Sequence, residues 1–190
     1  MAKSKRNPVT FGLSGKLGDL LVFRQVGGQT IVSMVPEPSK TVSEKQAAHR
    51  RRFQQAVLYA KPAVESPETG EKYKAAAKKG QTPINVAVAD FFNAPDIENI
   101  DLTEYAGNEG DKIRITVSDD FAVKYVKVRI SNADGSLVEE GEAVKELGDV
   151  WIYTAIRNNE SLEGDKIVIT ASDLPGNIVR DEQMLNGDSM

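Results

Sequence analysis

The sequence contains no cysteine, one histidine and one tryptophan among its 190 residues. The absence of cysteine excludes disulfides, thiolate metal sites and cysteine nucleophiles. A single histidine excludes any site that needs two imidazoles, which includes most catalytic zinc sites. No apolar run approaches the ~20 residues of a membrane-spanning helix. These shortages remove several classes of enzyme and membrane protein before any motif is considered.

The first residues carry positive charge at Lys3, Lys5 and Arg6. No apolar stretch of roughly 7–15 residues follows, so the pattern is not that of a secretory signal peptide. A cytoplasmic protein is the default expectation, and placement on a surface or particle by another export route stays open. The polar residues 1–16 predict a flexible arm or one that a partner orders, and 186–190 predict a short tail.

Charge is distributed unevenly along the chain. Residues 1–90 hold 15 Lys and Arg against 7 Asp and Glu, whereas residues 91–190 hold 9 against 21. The overall formal charge of −4 therefore conceals a basic half and an acidic half. Such asymmetry indicates a partner of opposite charge, or association of the two halves with each other. Helix signals also stop near Pro95, which predicts a basic region at 17–93 and an acidic domain at 94–185.

The basic half predicts one hairpin and two or three helices. Two β-rich runs, 20–26 and 29–35, flank a Gly-Gly pair that favours a hairpin turn. Ser43 and Gln46 fit a capping box that begins a helix ending near Lys61, before a proline. Further helix starts are indicated by Ser-Pro at 66–67 and Thr-Pro at 82–83, although the last segment also allows a strand.

A dense basic cluster, HRRR, occupies 49–52 of the first predicted helix. The candidate partner-binding residues of this basic half are Arg50, Arg51, Arg52, Lys78 and Lys79. One interpretation is a solvated helix face with salt bridges to the acidic half, and the other is contact with nucleic-acid phosphates. His49 is expected to be partly buried and hydrogen-bonded at the edge of the apolar stripe, since no second histidine exists to build a catalytic site.

The acidic half contains an internal repeat. GDKIRITVSD at 110–119 matches GDKIVITASD at 164–173 in eight of ten positions. Apolar residues alternate with mainly polar ones in both copies, which is typical of a strand with one buried face. About seven such short strands, without helix signals, predict an antiparallel β-sandwich. The expected fold class is therefore α+β, with a hairpin and helices followed by a sandwich.

Residues 97–185 resemble bacterial immunoglobulin-like modules. The resemblance is carried by SDDFAV at 118–123, WIYT at 151–154 and ASDLPGN at 171–177. It implies an Ig-like sandwich of the kind that serves as spacer, adhesin or assembly unit, without the cysteine pair of antibody domains. The first half, with GKLGD at 15–19, resembles uncharacterised bacterial proteins, and this likeness implies no activity.

The repeat has a consequence for three acidic residues. If its two copies are the second and sixth strands of a sandwich, the loops that follow them lie at the same end. Asp119, Asp120 and Asp173 would then be neighbours and could hold Ca²⁺, which prefers oxygen ligands. The alternative is that these side chains cap turns by accepting hydrogen bonds from backbone amides. No other cofactor is expected.

Catalytic motifs are missing from the sequence. GLSGK at 12–16 lacks the spacing of a Walker loop, and no Gly-x-Ser-x-Gly motif occurs. Glu139 and Glu140 are adjacent on an expected strand, so they point to opposite faces and cannot act as a facing pair. We therefore expect a protein that is not an enzyme.

The leading hypothesis is a structural or assembly protein that self-associates or docks to a larger assembly. Its basic N-terminal half and acidic Ig-like half would make the contacts. A first alternative is a nucleic-acid-associated protein that uses the basic helix. A second is a surface adhesion or glycan-binding module, for which an exposed Trp151 would be a sign. The partner is therefore itself, another protein or nucleic acid, with no membrane span.

Overall fold

The amino-terminal part of the chain folds as a small antiparallel sheet in the computed structural model, which describes residues 2–4, 8–35 and 42–185. The predicted hairpin is confirmed, because β3 (Leu21–Val26) pairs with β4 (Gln29–Met34). Gly27 and Gly28 form its turn with φ values of 57° and 76°. Glycine adopts these positive angles without steric cost, which explains the turn.

Two further strands extend this hairpin and correct the expectation of a flexible arm over 1–16. β1 (Ala2–Ser4) pairs with β4, and β2 (Gly15–Leu17) pairs with β3, giving the order β1-β4-β3-β2. The open edges of a hairpin present unpaired backbone groups, and these segments satisfy them. Residues 5–7 and the expected tail at 186–190 lie outside the described residues.

Three helices follow the first sheet: α1 (Glu44–Glu65), α2 (Gly70–Ala76) and α3 (Pro83–Phe92). The capping box is present, since Ser43 Oγ accepts from the Gln46 amide and the Gln46 side chain accepts from the Ser43 amide. α1 continues through Pro62 rather than ending before it. No helix in the described ranges is long and apolar enough to cross a membrane.

The helices enclose a small core of their own. Ala60, Tyr73 and Ala87 are fully buried there. α2 begins at Gly70, later than the Ser-Pro pair predicts. A Cβ at Gly70 would lie only 2.2 Å from the carbonyl oxygen of Val64. Glycine is needed at this position because the chain returns so closely to the end of α1.

The acidic half forms two antiparallel sheets of four strands each. Its strands are β5 (Asp96–Asp101), β6 (Lys112–Ser118), β7 (Val123–Ser131), β8 (Leu137–Glu142), β9 (Val144–Lys145), β10 (Val150–Thr154), β11 (Lys166–Asp173) and β12 (Ile178–Met184). The sheet orders are β5-β6-β10-β9 and β12-β11-β7-β8. The fold is thus mixed α+β, as expected.

One hydrophobic core is shared by these two sheets. Side chains from both sheets are buried in it, among them Ile113, Ile115, Val126, Val128, Ile130, Trp151, Ile167 and Ile169. The two copies of the sequence repeat are β6 and β11, which belong to different sheets. Each copy buries one face, as the alternation predicts.

The helical part contacts the end of the two sheets at which β6 and β11 finish. The rings of Tyr73 and Phe121 stack with centroids 4.3 Å apart. Asn177 Nδ2 donates to the carbonyl oxygens of Phe91 and Asn93 at 3.2 and 2.9 Å. This junction brings the end of α3 against the loops that follow the repeated strands.

Candidate functional site

Three carboxylates from distant parts of the sequence meet at this junction. Asp90 lies near the end of α3, Asp119 directly follows β6, and Asp173 is the last residue of β11. Each carboxylate brings one oxygen within 4.8 Å of the others. Asp90 is 2% exposed and Asp173 is fully buried. We call these three residues the aspartate cluster.

The structure places Asp119 and Asp173 together, as their equivalent positions in the repeat predict. Asp120, the third expected ligand, is instead exposed and accepts a hydrogen bond from Asn93 Nδ2. Consecutive residues after a strand point in different directions, so only the first of the two faces the cluster. Asp90 takes the third position. The sequence contains one signal for Asp90, which is the only charged residue in α3.

Hydrogen bonds to the backbone fix two members of the cluster. Asp119 Oδ2 accepts from the amides of Phe121 and Ala122 at 3.2 and 2.7 Å. Asp173 Oδ1 accepts from the amides of Gly176 and Asn177 at 2.8 and 2.6 Å, and its Oδ2 accepts from Asn177 Nδ2. The turn-capping alternative is therefore present in the structure for Asp119 and Asp173, and it orients both carboxylates.

Asp90 has a different environment. Its Oδ2 accepts from the hydroxyl of Tyr73 at 2.6 Å, and the Tyr73 hydroxyl lies 2.8 Å from that of Tyr59. Asp90 Oδ1 is buried and has no hydrogen-bond partner among the described residues, and the same is true of Asp119 Oδ1. Buried carboxylate oxygens without partners are costly, so the cluster favours an added positive charge or proton.

The electrostatics of the cluster agree with its geometry. Burial, together with the nearby charges of Asp119 and Asp173, raises the pKa of Asp90 to about 7, against an opposing effect of the Tyr73 hydrogen bond. Burial also raises the pKa of Asp173, although its hydrogen bonds oppose this. Burial and the hydrogen bond to Asp90 raise the pKa of Tyr73, which therefore stays a hydrogen-bond donor.

The basic residues singled out in the sequence are exposed on the helical part. They are Arg50, Arg51, Arg52, Lys78 and Lys79. Within the described ranges none of them forms an ion pair, and every ion pair there joins residues of the same half. The salt bridges to the acidic half that one interpretation expects are thus not found in this part of the chain.

His49 and Arg52 both lie against Phe92. The imidazole stacks on the Phe92 ring with centroids 5.8 Å apart, and Arg52 Cζ lies 5.2 Å from the same centroid. His49 is exposed, which corrects the expectation of a partly buried, hydrogen-bonded residue. The reason is that it projects beside the apolar stripe of α1 and covers a neighbouring ring instead.

One face of the first sheet is apolar, and neither hydrophobic core of the described residues extends over it. Register places Leu17 and Met34 beside Leu21, and Val32 beside Phe23, on the same face. Leu17 and Met34 are 62% and 77% exposed, and neither of the two hydrophobic cores contains a residue of this sheet. A sheet of this size ordinarily buries one face against another element. We call these five residues the apolar sheet face.

A second exposed apolar patch lies at the edge of the acidic half. Val144 on β9 and Leu147 after it are 72% and 82% exposed. Glu142, Glu146 and Asp149 surround them in the sequence and are also exposed. We call this patch the acidic edge. Trp151, in contrast, is only 7% exposed and lies in the core, so the sign expected for a glycan-binding surface is absent.

Comparison with known proteins adds little. No model of a known protein family matches the chain, and no curated protein matches it. One solved structure is similar, a conjugative transposon lipoprotein from Bacteroides eggerthii, at 11% identity over 49% of this chain and 95% of that chain. Its TM-score of 0.25 is too low to support any statement on fold or function.

Proposed function

We propose that this protein is a non-enzymatic structural protein that assembles with further copies of itself. The apolar sheet face is the observation that carries the proposal. An apolar sheet surface without a covering layer gains free energy when a partner removes it from water. The half of the chain that bears this face also presents exposed cations, which favour an acidic partner surface.

The acidic edge of a second copy fits this requirement. It offers exposed apolar side chains, Val144 and Leu147, with more carboxylates than cations beside them in the sequence: Glu142, Glu146 and Asp149 against Lys145. Two apolar sheet faces packed on each other would bring two basic halves together, whereas head-to-tail contact pairs a basic half with an acidic one. Head-to-tail contacts leave one surface free at each end, so they produce rings or filaments.

The strand order of the acidic half supports the proposal that it is an Ig-like module. In Ig domains one sheet has the order A-B-E-D and the other contains C, F and G. The orders β5-β6-β10-β9 and β12-β11-β7-β8 correspond to these, with β8 as an added strand beside C. Such modules serve as spacers and assembly units, which agrees with a structural role.

Two surface variants test head-to-tail assembly, because each of them keeps one of the two proposed contact surfaces intact. We expect Met34→Lys and Leu147→Lys each to abolish growth of assemblies, because each places a charge in one of the two apolar surfaces. A mixture of the two variants should form dimers and nothing larger, since only one contact can be restored. Light scattering coupled to size-exclusion chromatography measures the masses.

Val26→Lys is the matched control, because Val26 is 55% exposed on the opposite face of the same sheet. We expect it to assemble like the unmodified chain. If Leu147→Lys assembles normally while Met34→Lys does not, the acidic edge is not the second surface. If neither variant changes the mass distribution of an assembling chain, the proposal is wrong.

Nucleic-acid association is the alternative that one observation favours. The five basic residues are exposed and form no ion pair within the described ranges. A nucleic acid held through its phosphates would stay bound at low salt and dissociate at high salt. DNA or RNA binding that is lost on replacing Arg50, Arg51 and Arg52 with alanine, in a chain that stays monomeric, would support this alternative over self-assembly.

A further inference from the structure

The geometry points to a divalent-cation site. We propose that Asp90, Asp119 and Asp173 bind a hard cation of the calcium class, which joins α3 to the loops after β6 and β11. The three residues come from two different structural units, the helical part and the paired sheets. The proposal is independent of self-assembly, because the aspartate cluster contains no residue of the apolar sheet face or the acidic edge.

The spacing of the oxygens fits a calcium ion. Ca²⁺ binds oxygens at about 2.3–2.6 Å, so ligands on opposite sides of the ion lie roughly 5 Å apart. The three carboxylates each bring an oxygen within 4.8 Å of the others. Carboxylates are the preferred ligands of this ion, and three of them supply enough charge to hold it without any histidine or cysteine.

Unpartnered oxygens are the second observation, and it is separate from the clustering. Asp90 is 2% exposed, and its Oδ1 has no hydrogen-bond partner among the described residues. Asp119 Oδ1 is also buried without a partner. Buried polar atoms are nearly always satisfied, so two unsatisfied oxygens in one cluster indicate a missing ligand. A cation placed between the carboxylates satisfies both.

Turn capping does not account for the whole cluster. It uses Asp119 Oδ2 and both oxygens of Asp173. The Asp90 carboxylate caps no turn, because it lies within α3 and, among the described residues, accepts only from the Tyr73 hydroxyl. Without a cation, the buried Asp90 would have to keep a proton in order to face the other two carboxylates. The capping bonds instead orient Asp119 and Asp173 in the way that outer-shell bonds orient metal ligands.

One member of the aspartate cluster borders solvent. Asp119 lines an open surface cleft together with Phe92, Asn93, Ala94, Asp96, Ser118 and Asp120. Asp90 and Asp173 do not line this cleft and are buried behind it, so an ion would have to enter past Asp119 to reach them. Since one ligand lies on α3 and two follow strands, binding should stabilise the docking of the helices on the sheets.

Terbium luminescence tests the proposal on the full chain, because Tb³⁺ replaces Ca²⁺ at oxygen sites and is sensitised by nearby tyrosine. Tyr73 donates to Asp90 and is therefore adjacent to the expected ion. We expect terbium emission on excitation of tyrosine, its displacement by Ca²⁺, and a rise in melting temperature with Ca²⁺ that EGTA reverses. Asp90→Asn should weaken binding by at least about tenfold.

Asp120→Asn is the matched control, since Asp120 neighbours the cluster in sequence but is exposed and bonded to Asn93. It should retain the affinity of the unmodified chain. If Asp90→Asn does not fold, Asp119→Asn replaces it. A folded chain with neither terbium emission nor a calcium-dependent change in melting temperature overturns the proposal. The proposal is also overturned if Asp120→Asn lowers the affinity for the cation and Asp90→Asn leaves it unchanged.

Discussion

Ile169→Ala is expected to lower the free energy of unfolding by about 2–5 kcal/mol. Ile169 is fully buried in the core shared by the two sheets of the acidic half. The substitution removes methyl and methylene groups from this core and leaves a cavity that the close-packed interior fills only partly. Urea denaturation followed by the fluorescence of Trp151, which lies in the same core, measures the loss.

Ile178→Ala is the control for this prediction, because it makes the same chemical change on the neighbouring strand β12 at a residue that is 54% exposed. We expect it to lower the free energy of unfolding much less than Ile169→Ala does. Equal losses for the two variants would mean that the core does not lie between the sheets as described. The slope of the urea transition should stay constant in both variants if the unfolding remains two-state.

The second large effect concerns pH. The folded chain raises the pKa of Asp90 to about 7, so it binds the Asp90 proton more tightly than the unfolded chain, whose aspartates titrate near ~3.9. A raised carboxyl pKa means that the ionised form of the group is unfavourable in the folded state. The contribution of Asp90 to stability is therefore largest in acid and is lost as pH rises from about 4 to 7, by up to ~4 kcal/mol.

Asp90→Asn isolates this contribution, because asparagine keeps the shape and still accepts from Tyr73 but cannot ionise. Asp101, Asp111 and Asp134 have lowered pKa values from hydrogen bonds and act in the opposite direction, so only the difference between the two chains is informative. In EGTA, the variant should become the more stable chain as pH rises. Parallel stability curves between pH ~4 and ~7 would contradict the expectation.

The sequence predicted the elements whose signals are local. Alternation of apolar residues identified β6, β7 and β11 with their buried faces, and the Gly-Gly pair identified the first hairpin. The capping box at Ser43 marked the start of α1. These features depend on residues a few positions apart, so no knowledge of tertiary packing is needed.

The added strands of the first sheet could not be predicted in the same way. β1 and β2 have three residues each and carry no alternating pattern. They are strands because the hairpin offers open edges, which is a tertiary effect that overrides local sequence preference.

Two of the three members of the aspartate cluster were predictable, and the third was not. The repeat placed Asp119 and Asp173 at equivalent strand ends, so their proximity followed from sheet geometry. Asp90 joins them only because the helices dock against those loops, α2 through the Tyr73–Phe121 stack and α3 through the bond from Asn177 to Phe91. Contacts between segments more than eighty residues apart leave no periodic signal, and a lone charged residue in an apolar helix was the one local sign.

The mass of the unmodified chain in solution, followed over a range of protein concentrations and salt concentrations, tests self-assembly most directly. Mass photometry at low salt should show species larger than the monomer that grow with protein concentration. Added salt should shift them toward smaller species, because it screens the attraction between the basic and acidic halves. A chain that is monomeric at every concentration and salt condition would contradict the account.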